Sequence, residues 1–198
     1  AGTLRDQLVL IKSFYKSENH HLIDAVNRDI LGAGLGAKPI GNTNVFCLGL
    51  PYSLKESEKK RAPKGLLEPR SILEGVHRGV MDGGNKSGIP TVNGAMYFDR
   101  DYAGKPLVFC GTVGVLPKTL EDGRDTSLKE IEIGDRIFMV GGAIGKDGLH
   151  GATFSSLELN EQSPTSAVQI GDPLTQKRVT DFLLKARNLG LYSSLTDN

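Results

Sequence analysis

Between Val140 and Ser156 the chain reads Val-Gly-Gly-Ala-Ile-Gly-Lys-Asp-Gly-Leu-His-Gly-Ala-Thr-Phe-Ser-Ser, with glycines at 141, 142, 145, 148 and 151. Glycine tolerates positive φ and lets backbone approach a ligand closely. Successive bare N–H groups in such a loop can form an anion-binding concavity. Lys146 and His150 add donors beside it. No Gly-Lys-Ser/Thr ends the loop and no Gly-x-Gly-x-x-Gly sits at a strand end, so neither common nucleotide signature is present. On chemistry alone the stretch reads equally as a phosphate loop or as a glycine-rich surface turn. A second candidate is Arg28-Asp29, in the last turn of an expected helix. A carboxylate there opposes the helix dipole, which hints at a ligand role; an exposed Arg/Asp pair is the plainer alternative. His20-His21 reads as a solvated turn rather than a metal site, because no further ligands lie nearby in sequence.

The elements that position these groups follow from periodicity. Residues 3–17 form a strand or short helix around Leu8-Val9-Leu10-Ile11. Leu22, Val26 and Ile30 have helical spacing and Gly32-Ala-Gly-Leu-Gly36 stops the helix. Lys38 to Leu50 is strand-like, and the charged run Ser53 to Lys64 is a solvated excursion. Pro69 starts a helix with Ile72, Leu73, Val76, Val80 and Met81 on one stripe, ended by Asp82-Gly83-Gly84-Asn85. Extended segments at 89–98 and 106–116, joined by a short turn, suggest a hairpin. Residues 117–132 read as a polar linker or excursion, and Ile137 to Val140 as a short buried strand feeding the glycine loop. Asp172 caps a helix begun by Pro173, lined by Leu174, Val179, Phe182, Leu183 and Ala186 and ended by Gly190. Leu191 to Asn198 looks like the start of a strand cut short.

Hydrophobic residues make up 38% of the 198 and charged ones 24%, ordinary values for a globular protein. A net charge of +1 gives no reason to expect nucleic acid or an anionic membrane. No apolar run approaches the roughly 20 residues of a membrane span. Cys47 and Cys110 lie in apolar runs, as buried reduced thiols of a cytoplasmic protein do.

Several segments together resemble the phosphoribosylformylglycinamidine synthase family, the large ATP-dependent synthetase of purine synthesis. They are the glycine loop itself, Ala167-Val-Gln-Ile-Gly-Asp-Pro173, Val26-Asn-Arg-Asp29 with Gly34-Leu-Gly-Ala-Lys-Pro39, Asp82-Gly-Gly-Asn-Lys-Ser-Gly-Ile-Pro90 and Tyr97-Phe-Asp99. The resemblance spans roughly residues 22–198, with the motifs in family order. It implies an α+β fold: an aminoimidazole-ribonucleotide-synthetase-like half-barrel domain over 1–117, a linker over 118–133, and the start of the C-terminal domain over 134–198. It implies ATP and Mg²⁺ as cofactors and formylglycinamide ribonucleotide as substrate. Its amide oxygen is phosphorylated, and glutamine-derived ammonia then displaces phosphate to give the amidine.

By matching motif positions, Asp29 resembles a magnesium ligand and Asp197 a second one. Arg28 and Gln169 resemble ribonucleotide contacts, and His150 with Gly145, Gly148 and Gly151 approaches the substrate phosphate. The resemblance therefore predicts that Asp29 and Asp197 meet across one nucleotide cleft. The family's Glu-Thr-His-Asn-His/Ser-Pro-Ser segment, with its catalytic histidine, has no counterpart, and that role is not transferred to His20 or His21. The chain is accordingly expected to be a fragment, inactive alone, that needs the complementary half of the synthetase or a homodimer mate and a glutaminase supplying ammonia. Two alternatives remain open at this stage. One is a non-catalytic nucleotide-binding or assembly module. The other is a related ATP-dependent enzyme of the superfamily, such as a thiamine-phosphate kinase, a selenophosphate synthase or a hydrogenase-maturation protein.

Overall fold

The computed structural model describes residues 6–15, 22–51, 68–103, 106–142 and 172–197. Among the described residues four strands form one mixed sheet: β1 (Asp6–Tyr15), β2 (Lys38–Leu48), β3 (Thr91–Phe98) and β4 (Leu107–Pro117), in the spatial order β1-β4-β2-β3. Helices α1 (Leu22–Leu31), α2 (Pro69–Ser87) and α3 (Pro173–Asn188) complete the α+β fold. Among the described residues no helix is long and apolar enough to cross a membrane.

β4 is the central strand. It pairs antiparallel with β1 along its whole length and antiparallel with β2 on its other side. Val108, Cys110, Thr112 and Leu116 alternate along it as buried residues, the period-2 pattern of a strand with one face against the core. α1 packs across β4, β1 and β2. Its Val26 joins Phe46, Leu48, Ile72, Val76, Val108 and Cys110 in the main core cluster. Ile30 forms a second cluster with Ala37 and Leu116. Gly114 makes this close approach possible, since a Cβ there would meet Ile30 Cγ2 and lie 3.1 Å from the Lys38 carbonyl oxygen. Beneath α1, Thr112 Oγ1 bridges Asn27 Oδ1 (3.1 Å) and Asn42 Oδ1 (3.0 Å), all three side chains buried. This polar trio fixes the rotation of α1 on the sheet. Cys47 and Cys110 are free and buried, as expected, and burial pushes the Cys110 thiol up to about 12.

Several sequence-based expectations fail here. The segments 89–98 and 106–116 are both strands, but they do not form a hairpin: β3 pairs parallel with β2, and β4 lies on the far side of β2. Parallel pairing needs a crossover connection, and α2 lies in that connection between β2 and β3. The turn at Arg100–Tyr102 then carries the chain past β2 rather than back along β3.

α2 also runs through Asp82-Gly83-Gly84-Asn85 to Ser87 and stops at Gly88, whose φ is 71°. Its buried face is Ile72, Val76, Gly79, Gly83 and Ser87. Small residues continue the buried stripe there, while Met81 is exposed. In α3, Asp172 caps Leu174 N at 3.1 Å as expected. Leu183 and Ala186 are buried, but Leu174 and Phe182 are exposed.

Finally, neither Ile137–Val140 nor 191–197 is a strand. The side chains of Ile137, Phe138, Met139 and Val140 are exposed; a strand is buried only where partners cover it, and among the described residues nothing does.

The segment after β4 is more than a solvated linker. Thr119 bridges Asp125, and Leu120 and Thr126 are buried. The Thr126 carbonyl accepts from Leu35 N at 2.8 Å, and its hydroxyl donates to the Pro117 carbonyl.

Candidate functional site: a carboxylate pair at the end of helix α1

α1 ends in a glycine-rich turn. Gly32 N closes on the Arg28 carbonyl at 2.7 Å, and Gly34 and Gly36 have φ of 55° and 103°, left-handed values that glycine adopts without strain. Arg28 and Asp29 occupy the last turn of the helix, half-buried.

The C-terminal segment returns to this turn. Asp197 lies directly over Gly32: a Cβ on Gly32 would sit 2.8 Å from Asp197 N and 2.9 Å from its Oδ1. The absence of a side chain at 32 thus makes room for Asp197. Lys129 Nζ donates to the Gly32 carbonyl at 2.8 Å.

Asp29 and Asp197 come together, placed so that a proton on one carboxyl is hydrogen-bonded by the other. Burial, the hydrogen bond to Asp197 and the Asp197 charge push the Asp29 carboxyl from 3.8 up to about 6, against the opposing pull of Arg28. Two carboxylates in contact cannot both ionise cheaply. They share a proton, or they accept a cation in its place.

A divalent cation fits this donor set. Mg²⁺ is characteristically held by one or two carboxylates and otherwise by water and substrate phosphates. Among the described residues no third His, Cys, Asp or Glu joins the pair, which leaves the remaining positions for such ligands.

The structure therefore brings Arg28, Asp29 and Asp197 to one place. Gln169, His150, Gly145, Gly148 and Gly151, along with Lys146, His20 and His21 and the charged run at 53–64, lie outside the described residues. Sequence reasoning missed the part played by Gly32, whose signal was present only as a helix stop. It also missed the residues that hold the Asp197 segment in place. Tyr192 and Arg187 carry no pattern that marks them.

Residues 20–116 match the family described as AIR synthase related protein, N-terminal domain. The curated relatives include "Phosphoribosylformylglycinamidine synthase subunit PurL" of Thermoplasma volcanium, 34% identical over 88% of this chain and 22% of that protein. The protein of the same description from Salinibacter ruber is 37% identical over 88% of this chain and 21% of its own length. Among solved structures, T. maritima PurL complexed with FGAR superposes with a TM-score of 0.59 at 24% identity, covering 92% of this chain and 28% of that one. T. maritima PurL complexed with ATP gives 0.55 at 22% identity, covering 93% and 26%. These structures share the fold.

The chain belongs to the AIR synthase related proteins and, among them, to the phosphoribosylformylglycinamidine synthases. It spans about a fifth of the length of the curated relatives it matches.

Proposed function

We propose that this chain contributes half of an ATP- and Mg²⁺-dependent synthetase site that converts formylglycinamide ribonucleotide to formylglycinamidine ribonucleotide, with glutamine-derived ammonia, in the cytoplasm. The observation that carries the proposal is the meeting of Asp29 and Asp197, from opposite ends of the chain, in a family whose solved members include complexes with FGAR and with ATP.

In this reading Asp29 and Asp197 hold Mg²⁺. The ion, when bound, offsets negative charge on the phosphoryl group in transit. Arg28 orients the ribonucleotide through its fixed positive fork. Gln169 supplies a second substrate contact, and His150 with the backbone at Gly145, Gly148 and Gly151 receives the substrate phosphate. Phosphoryl transfer asks chiefly for positioning and charge neutralisation, and a pair of acids with an adjacent guanidinium suits that task. The remaining ligands, the catalytic histidine and the glutaminase belong to the rest of the assembled enzyme, either a complementary synthetase half or a second copy together with an ammonia-supplying partner. The chain alone is expected to be inactive.

Isothermal titration with ATP–Mg²⁺ and with formylglycinamide ribonucleotide, with and without the complementary part of the synthetase, tests this. Saturable binding of both ligands in the complemented sample, lost in Asp29→Asn, supports the assignment. No binding of either ligand in that sample removes it.

A further inference from the structure

The residues around Asp197 form no helix or strand, so its position beside Asp29 must be fixed by side chains. Three of them hold this segment and the end of α3: Tyr192 and Arg187 reach the glycine turn after α1, and Arg124 holds the backbone of Tyr192 and Arg187. Tyr192 Oη lies 2.9 Å from the Leu35 carbonyl, to which it donates, and 3.2 Å from that of Leu183. Arg187, only 7% exposed, donates through Nη1 to the Gly36 carbonyl and through Nε to Asn188 Oδ1 at 3.0 Å. Arg124, braced by Asp122 at 2.7 Å, donates to the Tyr192 carbonyl at 2.9 Å and to the Arg187 carbonyl at 3.0 Å. Glu130 N adds a bond to the Ser193 carbonyl at 3.3 Å. Leu195, further along the same segment, reaches the open side of Gly36.

A buried guanidinium is costly to desolvate. Among the described residues the partners of Arg187 are a carbonyl and an amide oxygen rather than a carboxylate, so no ion-pair energy offsets that cost. For simple packing an apolar side chain would serve as well. What Arg187 adds is direction: a rigid fork linking the last turn of α3 to the turn that follows Asp29. Tyr192 adds a second fixed link to the same turn, five residues before Asp197.

We propose that Arg187, Tyr192 and Arg124 act as a clamp that positions Asp197 against Asp29 and so sets the affinity of the carboxylate pair for a divalent cation. The clamp rests on the cation-site reading given above. Its members are positioning residues, since none is itself a ligand.

The test uses Mn²⁺ as the probe ion, titrated into the full chain and followed by the electron paramagnetic resonance of free Mn²⁺. Hydrogen exchange of the amides of residues 191–197 is measured alongside. Supporting partners of metal ligands commonly alter affinity by about 10–100-fold. Tyr192→Phe and Arg187→Met are each expected to weaken Mn²⁺ binding by about tenfold or more and to speed exchange in 191–197. Gly32→Ala, whose new methyl evicts Asp197 without touching the clamp, is expected to show the same loss of Mn²⁺ affinity. If Arg187→Met does not fold, Tyr192→Phe decides, because it removes one hydroxyl and little volume. Wild-type Mn²⁺ affinity in the folded clamp variants overturns the proposal. If the wild-type chain itself binds no Mn²⁺, the cation-site reading falls and exchange alone decides the clamp. Unchanged protection of 191–197 then overturns it, and faster exchange retains it as the device that holds Asp197.

Discussion

Neutralising one member of the Asp29–Asp197 pair should change the pH dependence of stability in a defined direction. The Asp29 carboxyl is raised from 3.8 to about 6 in the folded chain. At about 1.4 kcal/mol for each pH unit this corresponds to about 3 kcal/mol. Asp29 is only half-buried, and solvent screening reduces such a figure to about 1 kcal/mol. A group whose folded value is raised binds its proton more tightly in the native state. Its stabilising contribution is therefore complete below pH 3.8 and is lost as pH rises through about 6.

Asp29→Asn removes the whole of that dependence. Asp197→Asn removes the partner's charge but leaves burial, the largest cause, in place, so about half should remain. Urea denaturation across pH 4 to 8 without divalent ions reads this directly. Relative to wild type, Asp29→Asn should gain about 1 kcal/mol between pH 4 and pH 8, and Asp197→Asn about half as much. Other titrating groups cancel in the comparison. Superimposable pH profiles for the three proteins would refute the contact between the two acids, and with it the physical basis of the cation site.

Other perturbations probe the frame around the pair. Gly114→Ala forces a methyl group against Ile30 and the Lys38 carbonyl, and should cost about 1–3 kcal/mol by urea denaturation. Thr112→Val strips the donor shared by Asn27 and Asn42; a loss of about 1–3 kcal/mol is expected, and a neutral result would show that the trio does not anchor α1. Gly88→Ala places a side chain at φ 71°, for a loss of about 1 kcal/mol in thermal or urea unfolding. Cys110, with its thiol pushed up to about 12 by burial, should resist alkylation by iodoacetamide at pH 8 in the native chain and react only on unfolding, as mass spectrometry can follow.

Much of the local structure was legible in the sequence because it is set by neighbours along the chain. The spacing of Leu22, Val26 and Ile30 gives α1, and the glycines that follow give its stop. Pro69 opens α2, and Asp172 with Pro173 opens α3, through capping chemistry that involves only adjacent backbone groups. The motif set, read as a resemblance, named Arg28, Asp29 and Asp197 together.

Tertiary structure decided everything that depends on distant partners. Proximity in sequence suggested a hairpin for β3 and β4, yet strand pairing is a choice among edges, and the α2 crossover set β3 parallel to β2 instead. Ile137–Val140 has strand composition, but composition cannot supply a neighbouring strand, and the four side chains stand exposed. A glycine inside a helix usually signals its end. In α2, Gly79, Gly83 and Ser87 lie on the buried face and the helix runs on to Gly88. The rise of the Asp29 carboxyl to about 6 likewise comes first from burial in the folded chain and then from Asp197. Gly32 carries no side chain, so Asp197 can close on this turn, and beside an already buried carboxyl a second like charge is costly to keep.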